Sequence, residues 1–310
     1  MPVLYFSTLS SRAKRGTCSW PSVVALAFAL ATSACTRDAA PARTALTDDF
    51  GDTLVVGAAP RRIVSLNPTT TELLFAIGAG PRVTGRTSYD IYPKEVLAVP
   101  DLGQGLRPNV EAVLSTRPDL VLLYASADNR DAARRLRRGG VATAAYKIDR
   151  IADMMRVTRI LGRLTGDSAA ADRTVDSVRV TLDRVRTRAA NLPHPTVFWP
   201  LWEAPLLSVG AGSFLDELLG IAGAKNIFGD LPQPSPTVAF EELLKRDPDL
   251  ILASAKSRDR MLVDPRWKTL RAVREGRVVV FDSAIVTGPS TRVGASAVSL
   301  ARLLHPGVAF

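Results

Sequence analysis

The chain is poor in the side chains that most often carry chemistry. Of its 310 residues only two are cysteine and two histidine, and aromatic residues make up 6%. Cys18 and Cys35 both lie near the N-terminus, so the folded body has no thiol for a disulfide, a zinc site or a cysteine nucleophile. His194 and His305 each precede a proline at a segment boundary, where a general base would lack an orienting partner. No G-x-S-x-G elbow, H-E-x-x-H pair or acidic calcium loop occurs. The glycine-rich "GAGPRVTG" from Gly78 follows a helical pattern rather than a strand, so it fails the context of a phosphate loop. The longest apolar run, "VVALAFALATSA" from Val23 to Ala34, has twelve residues, too few to span a bilayer as a helix.

That run nevertheless has a meaning. Arg12, Lys14 and Arg15 precede it and small residues end it, the layout of an export signal over residues 1–34. Its last residues, "TSAC", resemble a bacterial lipoprotein cleavage site, in which Cys35 becomes the lipidated N-terminus. Thr32 stands where Leu or Val is usual, and plain secretion with cleavage near Ala34 is the alternative. A polar Ala/Pro-rich tether occupies 35–45. The formal charge is +10; without the three signal bases, 37 bases face 30 acids. These bases are interspersed with acids on helical faces, and an exported chain does not meet nucleic acid, so no nucleic-acid partner is expected.

From residue 46 the pattern alternates between apolar runs and amphipathic stretches. "RRIVSL", "DLVLLYA" and "VATAAYKI" read as buried strands, and "NPTTTELLFAIGAG", "NVEAVLSTR" and "RDAARRLRRGG" as helices, with a threonine of 69–71 and Asn109 as N-caps. The same alternation resumes in the second half, through "PTVFWPL", "VAFEELLKR", "DLILAS" and "RVVVFDS". This is an α/β protein built from parallel βαβ units. Between the halves, 149–191 has helical spacing and neither proline nor strand pattern, with Gly166-Asp167 as a candidate interruption; a continuous helix of that length would reach about 60 Å.

The halves echo one another. "NVEAVLSTRPDLVLL" (109–123) is matched by "FEELLKRDPDLILA" (240–253), and "TELLFAIGAG" from Thr71 by "DELLGIAGA" from Asp216. Two copies of one layout make an N-terminal lobe (46–148), a linking helix (149–191) and a C-terminal lobe (192–310), with a ligand cleft between the lobes near the strand C-terminal ends. Tyr89, Tyr124, Trp199 and Trp202 follow or end strands there and are candidate ligand contacts, with core packing as the alternative for each. Arg292, in "GPSTRVG", could pair an anionic group of the ligand or sit at the surface. Glu111 and Glu241 occupy equivalent first-turn positions, which the helix dipole alone would favour.

Taken together, "RRIVSLNPTTTELLFAIGAGPRVTGRTSYDIYP", "VPDLGQGLRPNVEAVLSTRPDLVLL" and "SFLDELLGIAGAKNIF" through "VAFEELLKRDPDLILA" resemble the periplasmic binding proteins that serve iron-siderophore, haem and cobalamin importers, over roughly Leu46 to His305. The resemblance implies two Rossmann-like lobes joined by a long helix, limited closure on the ligand, and delivery to an ABC transporter of two membrane subunits and two ATPases. It implies no enzyme activity and no cofactor other than the cargo, a cobalt corrinoid or an iron chelate; an exported hydrolase or a sensor on the same scaffold is the alternative of another class. It also implies that Glu111 and Glu241 dock onto the membrane subunits, that the protein is a monomer, and that it works in the periplasm or at the cell surface, lipid-anchored through Cys35. "SYDIYP" is most similar to the cobalamin-binding branch, where the Tyr89 position contacts ligand and the Tyr124 position can carry a contacting aromatic. In "QPSPTVAFEEL" Ser235 stands where that branch can carry tryptophan, which keeps haem and ferric siderophore open as ligands.

Overall fold

The computed structural model describes residues 44–281 and 288–310; the export segment, Cys35 and the tether up to residue 43 lie outside them. Strands β1 (Thr44–Thr47) and β2 (Thr53–Val56) form an antiparallel hairpin. Asp48 at its tip is buried and accepts from the Ala145 amide, which fastens the hairpin to the first lobe.

The N-terminal lobe holds β3 (Ile63–Leu66), α1 (Pro68–Ala76), β4 (Val83–Gly85), α2 (Val110–Ser115), β5 (Leu120–Tyr124), α3 (Arg130–Arg138) and β6 (Ala142–Tyr146). Its four strands are parallel in the order β4-β3-β5-β6. Strands buried on both faces read as continuous apolar runs, as "LVLLY" does in β5. Side chains alternate between two cores. Ile63, Leu120 and Leu122 face one and Val64, Val121 and Leu123 the other. The cap of α1 is Asn67, whose side chain accepts from the Thr69 amide, with Pro68 at the first helical position. The threonines expected to cap lie inside the helix instead, and Thr70 and Thr71 donate back to the Asn67 carbonyl. Asn109 caps α2 as expected, accepting from the Ala112 amide at 3.1 Å.

The stretch 149–191 is two helices rather than one. Helix α4 (Ile151–Thr165) ends at Gly166, whose φ of 80° closes it in the left-handed conformation, and α5 (Ser168–Ala189) follows after Asp167. The helices fold back on each other. Arg159 pairs with Asp172 at 3.1 Å, and a Cβ on Gly162 would lie 2.5 Å from that of Ala171, so glycine allows the close approach. Helix α5 is the long connector, 22 residues and about 33 Å. It starts beside Arg82 of the first lobe, which pairs with Asp167, and ends beside the last residues of the chain, where Arg188 donates to the Ala309 carbonyl.

The C-terminal lobe contains β7 (Thr196–Phe198), the antiparallel pair β8 (Pro200–Glu203) and β9 (Leu206–Ser208), α6 (Phe214–Ile221), β10 (Lys225–Asn226), α7 (Phe240–Arg246), β11 (Leu250–Ala253), α8 (Ala255–Val263), α9 (Arg271–Arg274), β12 (Val278–Val280) and α10 (Val293–Leu304). Its parallel strands run β10-β7-β11-β12. A single buried cluster runs from Leu73 and Leu74 through Met154 and Leu161 of α4 and Val178 and Leu182 of α5 to Leu218 and Leu300. The lobes therefore share a core, while each keeps a second one on its outer face, around Val113 and Leu136 and around Phe240 and Trp267. His305 is in the core, bonded through Nε2 to the Ala222 carbonyl at 3.0 Å, while His194 is exposed.

Candidate ligand-binding cleft

The parallel order of each sheet places a topological switch at the C-terminal ends of its first and third strands, where α/β folds take ligands. A cavity of about 650 Å³ lies there, between the lobes. In the N-terminal lobe Leu66 ends β3 and Tyr124 ends β5, and both line it. The first turns of the two repeated Glu-Leu-Leu helices also line it, through Thr69 of α1 and through Ser213 and Phe214 at the start of α6.

Tyr89 lines the cavity from the loop after β4 and is 60% exposed. That loop is held by Asp90, which is buried and accepts from the Thr87 amide, while the Thr87 hydroxyl accepts from the Tyr89 amide at 3.2 Å. Burial pushes the Asp90 carboxyl above its ordinary range, and its Oδ1 has no hydrogen-bond partner among the described residues. Tyr124 donates its hydroxyl to Asp149 Oδ1 at 2.6 Å; burial, then the Asp149 carboxylate, pushes the phenol upward, so it stays protonated.

The other candidate contacts lie elsewhere. Trp199 is 4% exposed and packs edge-on against Phe281, with ring centroids 5.4 Å apart, in the shared core. Trp202 is 62% exposed and its indole donates to the Ala204 carbonyl. Leu201 lies between them and is the residue that lines the cleft, because successive side chains of a strand take opposite faces. Arg292 does not line the cavity. It pairs with buried Glu72 at 3.1 Å and lies 4.5 Å over the Tyr92 ring. A buried carboxylate needs such a partner, and Nε and Nη2 of the guanidinium are turned to it. Sequence reasoning missed Thr69, Asp149, Ser213 and Phe214; their signal was position, at strand ends and helix starts, rather than residue type. Ser235 lines the cleft between Pro234 and the buried Pro236.

Glu111 and Glu241 are exposed in the first turns of α2 and α7 and do not line the cavity. Glu111 pairs with Arg135; Glu241 has no ion pair among the described residues.

The sequence matches the periplasmic binding protein family over residues 63–285. The chain belongs to that family. Among its relatives, an uncharacterized ABC transporter substrate-binding lipoprotein of Bacillus subtilis is 29% identical over 256 residues, 80% of this chain and 81% of the relative. A vitamin B12-binding protein of Vibrio cholerae is 25% identical over 235 residues, 74% of this chain and 84% of the relative. The crystal structure of the periplasmic vitamin B12 binding protein of Vibrio cholerae superposes with a TM-score of 0.71 at 23% identity, over 79% of this chain and 97% of that one. A periplasmic heme binding protein from Pseudomonas aeruginosa gives 0.73 at 22% identity, over 80% and 94%. At such identities the solved structures establish the two-lobed fold of this periplasmic binding protein.

Proposed function

We propose that this protein is the extracytoplasmic substrate-binding component of an ABC importer, and that it captures a corrinoid or a related metal chelate without turning it over. The observation that carries the reading is the interlobe cavity lined by the tyrosines Tyr89 and Tyr124 from one lobe and Phe214 from the other. Aromatic faces with a polar tip suit a broad, flat macrocycle that carries polar substituents. Relatives described as vitamin B12-binding and as an ABC transporter substrate-binding lipoprotein support the role. Haem is the second reading, favoured by Tyr89, since a tyrosine is an axial ligand type for haem iron and Ser235 leaves that end of the cleft open. In this reading the metal travels inside its own chelate rather than on ligands supplied by the protein.

In this reading Cys35 carries a lipid that tethers a monomer to the membrane, and exposed Glu111 and Glu241 meet the transporter's membrane subunits, one per lobe. Thermal unfolding with cyanocobalamin, haemin and a ferric siderophore tests the ligand class. Cyanocobalamin at a hundredfold its Kd adds about 2.7 kcal/mol to stability and raises Tm. A rise with haemin alone moves the assignment to haem, and no rise with any of the three removes it.

A further inference from the structure

The second echo of the sequence, "TELL" at 71–74 and "DELL" at 216–219, is not used by the cleft or by the docking glutamates. Its two glutamates do the same thing in opposite directions. Glu72 of α1 reaches across to the C-terminal lobe. Its Oε2 is 3.1 Å from Arg292 Nη2, and its Oε1 accepts from the Thr291 hydroxyl at 2.9 Å. Glu217 of α6 reaches back to the N-terminal half. Its Oε1 is 2.5 Å from Arg150 Nε, and its Oε2 accepts from the Ile151 amide at 2.9 Å. Both arginines occupy the N-cap position of a helix, Arg150 of α4 and Arg292 of α10.

Each pair adjoins cleft-lining residues on both of its sides. Thr69 and Pro289 lie three residues before Glu72 and Arg292; Asp149 immediately precedes Arg150, and Leu215 lies two before Glu217. Two further contacts cross between the lobes at these places. The Phe214 amide donates to the Asp149 carbonyl at 3.2 Å, and Gly288 approaches Thr69 so closely that a Cβ there would lie 2.6 Å from its hydroxyl. Charge-assisted bonds with two contacts per carboxylate are strong and directional. A rotation that widens the cleft has to lengthen both sets together.

We infer that Glu72–Arg292 and Glu217–Arg150 are reciprocal clasps that set the aperture of the cleft. The four side chains are positioning residues: none of them lines the main cavity, but they hold the segments that do, and they keep the cleft pre-formed. The clasps differ in strength. The Glu72 side chain is 5% exposed and Arg292 29%, against 24% for Glu217 and 44% for Arg150, so the first is the less screened by solvent. The inference does not depend on which ligand the cleft takes.

Hydrogen exchange of the intact chain without ligand, read by mass spectrometry, tests it. Glu72→Gln keeps the shape of one clasp and removes its charge. The reporter is the Phe214 amide, at the other clasp. Its exchange accelerates by about tenfold or more, the scale expected for weakening a buried charged pair, because both clasps resist one opening motion. Amides of β5 and β11 inside the lobes keep their rates, and Arg292→Lys, which retains the charge, changes Phe214 less than Glu72→Gln does. An unchanged Phe214 rate in Glu72→Gln overturns the inference. So does acceleration of β5 and β11 equal to that of Phe214, which marks general destabilisation. If Glu72→Gln does not fold, Arg150→Met is read instead at the Val293 amide, which donates to the Ser290 carbonyl beside the Arg292 clasp, and the same two outcomes decide there.

Discussion

The two lobes share one plan and differ where a ligand would meet them. Numbered within each lobe, and leaving aside the β8–β9 hairpin, both sheets run 2-1-3-4. In both, a Glu-Leu-Leu helix follows the first strand and a Glu…Pro-Asp-Leu unit leads into the third. The Asp of that unit has one job in both places. Asp119 accepts from the Arg61 and Arg62 amides, and Asp249 from the Thr196 amide and hydroxyl, so each clips the start of the third strand to the start of the first. Two residues earlier the backbone turns through the left-handed region, at Arg117 with φ 49° and at Asp247 with φ 38°. The parts that are not repeated are the long loop between β4 and α2, which carries Tyr89, and the β8–β9 hairpin with the proline-rich loop before α7, which carry Leu201 and Ser235. The comparison teaches that the repeated elements build the scaffold and supply the floor of the cleft at their strand ends and helix starts, such as Tyr124 and Phe214, whereas the unrepeated loops add walls that differ between the lobes.

The comparison can be broken at the repeated glutamates on the outer surface. Glu111→Ala combined with Glu241→Ala abolishes stimulation of the partner transporter's ATPase and leaves ligand affinity unchanged; a loss of affinity would place them in ligand binding instead. The clasp glutamates are equivalent in sequence, but the two pairs differ in burial. Arg292→Ala strands the buried Glu72 carboxylate and costs about 3–5 kcal/mol in denaturant unfolding. Arg150→Ala, at the half-exposed pair, costs about 1 kcal/mol or less. Equal costs would show that burial does not distinguish the lobes.

Helix caps sharpen the match at a smaller scale. Asn109→Ala and Ser213→Ala each remove a side-chain acceptor at a helix start and each cost about 1 kcal/mol in thermal or urea unfolding. The smallest effect is at the strand clip. Bonds from the Thr196 hydroxyl and amide, then Arg271, hold the Asp249 carboxyl down to about 2. A depressed folded pKa stabilises above the unfolded value and loses that contribution as pH falls through the folded one. Asp249→Asn therefore lowers stability modestly at neutral pH, the group being partly exposed, and the gap to the parent chain closes between about pH 4 and pH 2. A gap that persists below pH 2 would assign the effect to something other than the charge.

Much of this was legible because buried parallel strands write themselves as apolar runs, and because the repeat marks the lobes. The break at Gly166-Asp167 was legible as a candidate interruption, but the fold-back was not, since helical spacing continues on both sides and the reversal depends on the contact of Gly162 with Ala171. Trp199 and Trp202 were misplaced because the chain changes strand around Trp199, between Phe198 at the end of β7 and Pro200 at the start of β8, and because neighbouring Leu201 and Trp202 take opposite faces of β8. Arg292 drew attention as a charge near a helix start, but its partner Glu72 is 220 residues away and only the fold brings them together. The position of Tyr89 and Tyr124 on the cavity wall could be read from the sequence because both follow or end strands, where α/β folds open their clefts.

The central claim is that the tyrosine-lined cleft takes a corrinoid-type chelate. Isothermal titration of the protein with cyanocobalamin tests it most directly, beside the Tyr89→Ala variant. The account predicts saturable binding of one ligand per chain, weakened at least about fivefold by Tyr89→Ala, since an aromatic contact contributes about 1–3 kcal/mol. No measurable binding, or equal binding by the variant and the parent chain, would contradict it.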